Sequence, residues 1–566
     1  MRTIISYSFL ILFFTTSVQA NNDIQIPLRF DRYYDYADMN TAIKKLAEGY
    51  PKLCKYEVVG KSDEDREILA LIINNAKTGK VTEKPGIWVD GNIHGNEIQA
   101  GEVCLYTAQY LLMNHQKNEE LTRILDKNVF FIVPVVNVDG RYHFFTDANT
   151  MHSNRSVRRP KDDDYDGLFD EDGYDDLDGD GNICQMRIKD PFGKYKPDPK
   201  DPRILIRVKP GEKGVYSILG NEGIDNDNDG RINEDKEGYV DPNRNWPGSW
   251  QPNYIQNGAG DFPLSSASTK AVSDFFSKYP NIIVSWNFHN YGGMFLAPPG
   301  RKGEIVNSGD ANTYKYLGQK AEKIVPGYRY MTSLQLYPTY GGTIDYAYRM
   351  HGAFGFVGEL FINNQESFIP YKKAADLNKD QQRLKFNDHV VYGDLYKDWK
   401  PYKHPLYGDI EIGGWKKMSS RLPHTFMLAD LVHRNAAAVL FSAAETPEIK
   451  LKVTKAERIE NGLYRVNVEV RNDGMIPSMS GAAAKDKIHP KDKLEVSGLK
   501  VIAAGRISNI YSNQVQFKKH KPEVQFIHVP GNSKVDYQFL FEDKGKFKVS
   551  YLGQKAGKNE INYEIK

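Results

Sequence analysis

Four residues of this chain have the types and spacing of a hydrolytic metal site. His94 and Glu97 stand three apart in Gly91-Asn92-Ile93-His94-Gly95-Asn96-Glu97, between an apolar strand-like run (86–89) and a helix-like run (98–113). An imidazole nitrogen and a carboxylate oxygen offered where a strand passes to a helix suit Zn²⁺. A catalytic zinc takes three protein ligands and keeps one position open. Alone the pair is a weak signal, because a helix N-terminus favours Glu for its charge. His289 is the candidate third ligand. It closes a buried apolar run (281–288) and precedes Asn290-Tyr291-Gly292-Gly293, and ligands of open α/β sheets bind outside the carboxyl ends of strands. Glu359 ends another short strand (353–357), where an unpaired carboxylate is costly to bury.

These residues need a scaffold, and the hydrophobic pattern supplies one. The run 129–136 is continuously apolar, the mark of a strand buried on both faces. Strands at 56–59 and 68–73 follow an amphipathic helix carrying Met39, Ile43 and Leu46, and a closing helix is expected over 423–444. Strands alternating with helices imply an α/β fold, a mixed, mostly parallel sheet flanked by helices. From Pro447 onward the period becomes strand-like, as in Tyr464 to Val470, with turn signals and no helix. Residues 447–566 are therefore expected to form an all-β sandwich behind a catalytic domain at 21–446.

Arg2, the apolar run 4–14 and Val18-Gln19-Ala20 read as a signal peptide, 1–20, cut after Ala20. The product is expected to be secreted or periplasmic and not membrane-spanning, since no later run approaches a bilayer's thickness. A formal net charge of +2 leaves no nucleic-acid footprint, and three cysteines are too few for a disulfide framework.

Between 161 and 237 the composition turns sharply acidic. Asp162 to Gly167, Asp176 to Asn182 and Asp225 to Gly230 place carboxylates on alternate residues with a glycine at the turn, which is how a loop wraps a hard cation such as Ca²⁺. Asp225, Asp227, Asp229, Asp176, Asp178 and Asp180 are the candidate calcium ligands. Position twelve from Asp225 is Lys236, not the Glu of an EF-hand. The competing expectation is a solvated acidic insertion.

Taken in order, these pieces resemble the funnelin family of zinc carboxypeptidases from about Tyr33 to Ala444. His94, Glu97 and His289 match its ligands to one catalytic Zn²⁺. Asp241, in Asp241-Pro242-Asn243-Arg244-Asn245-Trp246, matches a carboxylate that orients a ligand histidine. The resemblance gives Arg158, within Arg155-Ser156-Val157-Arg158-Arg159, the role of polarising the scissile carbonyl. Asn243 and Arg244 match the pair holding the substrate's terminal carboxylate, Tyr337 the mobile tyrosine, and Glu359 the general base. Ile344 and Gly300 match side-chain pocket positions, and neither is acidic, which implies release of apolar or aromatic residues. The implied activity is hydrolysis of the last peptide bond of peptide or protein C-termini by a zinc-activated water. Two alternatives stand beside it: a zinc peptidase or amidase on cell-wall peptides, and a calcium-dependent binding protein with a vestigial core.

Overall fold

The structure, a computed structural model, describes residues 28–235, 238–362, 378–460 and 462–566; the signal-peptide reading of 1–20 lies outside them. The strands of the first 415 residues, in chain order, begin with β1 (Cys54–Lys61), β2 (Glu67–Ile73), β3 (Gly86–Gly91), β4 (Val129–Val133) and β5 (Val157–Arg158). Then come β6 (Gln185–Lys189), β7 (Tyr195–Pro197), β8 (Leu205–Arg207), β9 (Tyr216–Asn221) and β10 (Tyr239–Val240). The set ends with β11 (Ile282–Asn290), β12 (Met294–Ala297), β13 (Arg329–Thr332), β14 (Phe354–Leu360), β15 (Tyr396–His404) and β16 (Gly408–Trp415).

Eight of them form one sheet in the order β1-β2-β4-β3-β11-β14-β12-β13. Its centre, β4-β3-β11-β14, is parallel, so β3, β11 and β14 all end on one edge. Every residue of β3, β4 and β11 is buried, as their unbroken apolar runs require. Trp88 of β3 packs on Phe276 of helix Ala267–Ser277, while Trp286 of β11 donates to Ser442 Oγ of helix Thr425–Ala444 at 2.8 Å. Trp88 stands opposite Ser285 in the register, so the two tryptophans face opposite sides and helices cover both faces.

The acidic insertion does not stand alone in solvent. Its strands join β15 and β16, a segment the periodicity does not single out, in a six-stranded antiparallel sheet, β15-β16-β6-β9-β7-β8. Cys184, Met186, Ile410 and Ile412 form its small core. All three cysteines are free and buried. Beyond 448, a five-stranded and a four-stranded sheet share one apolar core that includes Val468, Phe539, Leu494 and Val549. Among the described residues, no helix is long and apolar enough to cross a membrane.

Candidate active site and metal centre

β3 runs into a tight turn. Asn92 there is left-handed (φ 54°), a conformation Asn tolerates better than most residues. Its amide donates to His94 O (2.6 Å) and Gly95 O (2.9 Å), and its Oδ1 accepts from the fully buried Arg141 (2.8 Å). A Cβ at Gly95 would lie 2.3 Å from Asn154 O, so only glycine lets these backbones meet. The turn fixes His94 and delivers Glu97 just ahead of helix Gln99–Asn114.

His289, from β11, closes the group across the sheet edge. His94 Nδ1 lies 3.1 Å from Glu97 Oε1 and 3.1 Å from His289 Nδ1, which is 3.0 Å from Glu97 Oε2. All three residues are buried, with one ligand atom of each within 4.8 Å of the others. Asp241 Oδ1 sits 3.0 Å from His94 Nε2. A proton held on that nitrogen leaves the Nδ1 lone pair aimed at the triangle, the tautomer a metal ligand needs. Burial pushes the Asp241 carboxyl up, but His94, Arg244 and Arg155 hold it well below the ordinary range. Burial acts on Glu97 in the same way, and His94 and His289 hold it down. Two imidazoles and one ionised carboxylate in a buried triangle fit Zn²⁺ in type and number.

Around the triangle lies a cleft of about 280 Å³. Glu359 reaches it as the register partner of His289 in the parallel β11–β14 ladder, so both side chains leave on one side. Asn243 Nδ2 is 3.2 Å from His289 Nε2, while Asn243 Oδ1 accepts from Thr343 N at 3.1 Å. Arg244 is buried with Nη1 donating to Asn243 O (2.8 Å), and Tyr337 stands half exposed at the rim. Ile344 joins Met294, Leu296 and Val357 in an apolar wall, with Leu336 against it. Gly300 does not line the cleft: a Cβ there would meet Asp345 Oδ2 at 3.0 Å and Thr339 Oγ1 at 3.1 Å.

Arg158 is not in the cleft. Val157 of β5 is buried, so Arg158 faces the other way, donating to Asp147 Oδ2 (2.9 Å) and Asn154 Oδ1 (2.7 Å). Of the two it is Arg155 that lines the cleft, its Nη1 donating to Glu97 Oε1 at 3.1 Å. Arg421 was not legible in the sequence. It enters from the loop before the closing helix, its Nη2 donating to Glu97 Oε1 (3.2 Å) and Asn290 Oδ1 (2.9 Å), and no motif announces it. Of the acidic loops, Asp225, Asp227 and Asp229 cluster, as do Asp176 and Asp178 with Glu222. In the Asp176–Asp180 loop, however, Lys397 Nζ already binds Asp178 and lies 2.7 Å from Asp180 Oδ2.

A family model described as zinc carboxypeptidase matches residues 39–196 and 219–383, and the gap between them falls inside the acidic insertion. A second model, of a domain of unknown function, matches 448–564. Carboxypeptidase B of Astacus astacus is 25% identical over 376 residues, covering 62% of this chain and 97% of that protein. Carboxypeptidase D of Homo sapiens is 32% identical over 125 residues, covering 22% of this chain and only 9% of that protein. Among solved structures, thrombin activatable fibrinolysis inhibitor aligns over 75% of this chain and 78% of that one, at 16% identity and TM-score 0.44. Matched by that first family model over more than half its length, the chain belongs to the zinc carboxypeptidase family.

Proposed function

We propose that this chain is an exported exopeptidase that hydrolyses the last peptide bond of peptides and proteins. One observation carries the reading: His94, Glu97 and His289 share a single cleft with Arg155, Arg244 and Glu359. Zn²⁺ held by the two histidines and Glu97 would supply Lewis acidity to the scissile carbonyl. Glu359 takes the proton of the attacking water and passes it to the leaving amine. Burial raises its pKa, His289 opposes this, and with Glu97 beside it the value comes to about 7. Arg155, in the role the resemblance gave to Arg158, donates to the carbonyl oxygen as negative charge develops there.

The planar fork of Arg244, with Asn243, holds the terminal carboxylate, a geometry an ammonium would match less well. Tyr337, 48% exposed at the rim, is free to fold over the substrate. The wall of Ile344, Met294, Leu296 and Val357 supports release of apolar or aromatic residues, with Gly300 contributing no side chain. Export after cleavage at Ala20 is part of this proposal.

The test uses two peptides ending in Phe, one with a free carboxylate and one amidated, with and without a zinc chelator. Loss of Phe from the free peptide alone, abolished by the chelator, is the expected result. Equal cleavage of both peptides would remove the role given to Arg244.

A further inference from the structure

Two of the acidic loops are one design used twice. Asp162 to Asp172 and Asp225 to Asp235 both read Asp-x-Asp-x-Asp-Gly-x-x-(Asp/Asn)-Glu-Asp. Their backbones agree at each left-handed position: Tyr165 and Asn228 (φ 70° and 68°), Gly167 and Gly230 (99° and 95°), Asp170 and Asn233 (56° and 61°). In both, the glycine N–H donates to the first aspartate at 3.0 Å.

What turns the repeat into a site is an exchange at the last position. Asp235, fully buried, ends the second loop but serves the first: its Oδ1 accepts from Asp163 N (2.7 Å) and Asp164 N (3.2 Å). Asp172, also fully buried, ends the first loop and accepts from Asn226 Nδ2 of the second at 3.1 Å. The Oδ2 of each has no hydrogen-bond partner among the described residues, and neither oxygen of Glu171 or Glu234 has one. One carboxylate oxygen each from Asp162, Asp164 and Asp235 lies within 4.8 Å of the others, and the same holds for Asp225, Asp227 and Asp229. Ligand oxygens about 2.3–2.6 Å from a Ca²⁺ ion stand up to about 5 Å apart, so this spacing suits a hard cation.

Buried carboxylates without partners are costly unless a cation compensates them. The Asp176–Asp180 loop has that compensation in Lys397. In the paired loops Lys161 Nζ binds Asp163, which is not one of the clustered carboxylates, and the ion pair of Asp229 with Arg231 is long, at 3.8 Å. We propose that the loops 162–172 and 225–235 form a paired Ca²⁺-class site, one ion held by Asp162, Asp164 and Asp235, the other by Asp225, Asp227 and Asp229 with Asp172 and Glu234 beside them. The site lies at the root of the insertion. Asp170 Oδ1 accepts from Lys161 N (3.1 Å) and Gly238 N (2.8 Å), joining its two ends below the β5–β10 ladder. That ladder leads to Arg155 on one strand and to Asp241 on the other, so ions here would stiffen the frame of the cleft.

The test takes the full chain, strips divalent ions with EGTA, restores zinc, and adds Ca²⁺ alone or Tb³⁺ alone. Tyr165, 90% exposed within the first loop, serves as the sensitiser for Tb³⁺ emission. Ca²⁺ at about 10 mM, some tenfold above the weak affinities of extracellular modules, should raise Tm by about 3 °C or more. The same rise is expected in His289→Ala, which separates this response from the catalytic metal. Tyr165-sensitised emission should be lost in Asp235→Asn and kept in Asp178→Asn, whose loop Lys397 occupies. A Tm unmoved by Ca²⁺ in the wild-type chain overturns the site, as does Asp235→Asn binding Tb³⁺ like wild type. So does a rise that vanishes in His289→Ala. Should Asp235→Asn fail to fold, the wild-type and His289→Ala titrations decide alone.

Discussion

The cleft and the paired acidic loops both gather carboxylates, and they manage the charge in opposite ways. In the cleft, His94 and His289 are 195 residues apart and meet because parallel strands end on one sheet edge. The charge there is answered from within the chain: Arg155 and Arg421 bond Glu97, and His94 bonds Asp241. In the loops the clustered carboxylates are nearly contiguous, drawn from eleven residues plus one aspartate of the other loop. Their turns are shaped by backbone N–H groups, which orient carboxylates without neutralising them. A pre-organised site can keep its shape through its own cross-links, whereas an acidic loop depends on what it binds.

The largest expected effect tests the cleft's half of this contrast. Glu359→Gln should lower kcat by about 10²–10⁴-fold while leaving bound zinc, read by metal analysis, unchanged. Activity within tenfold of wild type would show that Glu359 is not the base. The two arginines come next. Arg155→Ala should cost about 10²–10³-fold in kcat, as for loss of an oxyanion donor, and Arg158→Ala less than about tenfold. The reverse order would restore the role that the resemblance gave to Arg158. A smaller effect is expected in the apolar wall: Ile344→Asp should cut kcat/KM for a C-terminal Phe by about 10–200-fold and improve that for Lys, measured on paired peptides.

A third way to bury charge is to give it up. Lys555 is buried where the C-terminal β region meets β11, its Nζ donating to Pro280 O (3.1 Å) and Ile282 O (2.5 Å). Burial pulls its pKa down from 10.5 to about 7. The unfolded chain takes up this proton below pH 10.5 and the folded chain only below about 7. This group's contribution to stability should therefore fall as pH drops from 10.5 to 7, by up to about 1.4 kcal/mol per unit, and level off beneath. Denaturant melts across that range should show a shallower slope in Lys555→Met. An unchanged slope would mean that the amine is charged in the folded chain.

Much of this was legible without coordinates, for a local reason. Periods of two and 3.6 residues report burial on one face or both, and β1 to β4, β11 and β14 lie where those patterns put them. His94 with Glu97, and the alternating aspartates, are short-range motifs whose spacing is itself the geometry. The strand partner β15 was hidden because a largely exposed antiparallel strand alternates weakly, with Lys, Asp and Trp interspersed, and β16 because its alternation, Asp409-Ile410-Glu411-Ile412, is only four residues long.

The sequence by itself determined the fold class, the H-x-x-E pair with its distant histidine, and the alternating aspartates of the acidic loops. Only the tertiary structure decided which arginine faces Glu97, since Arg155 and Arg158 differ by strand facing and not by type. It alone brought in Arg421, placed Lys397 in one acidic loop, and exchanged Asp172 and Asp235 between the other two. Those outcomes depend on long-range packing, where the partner of a charge is set by which elements share a face, and no spacing along one segment encodes that.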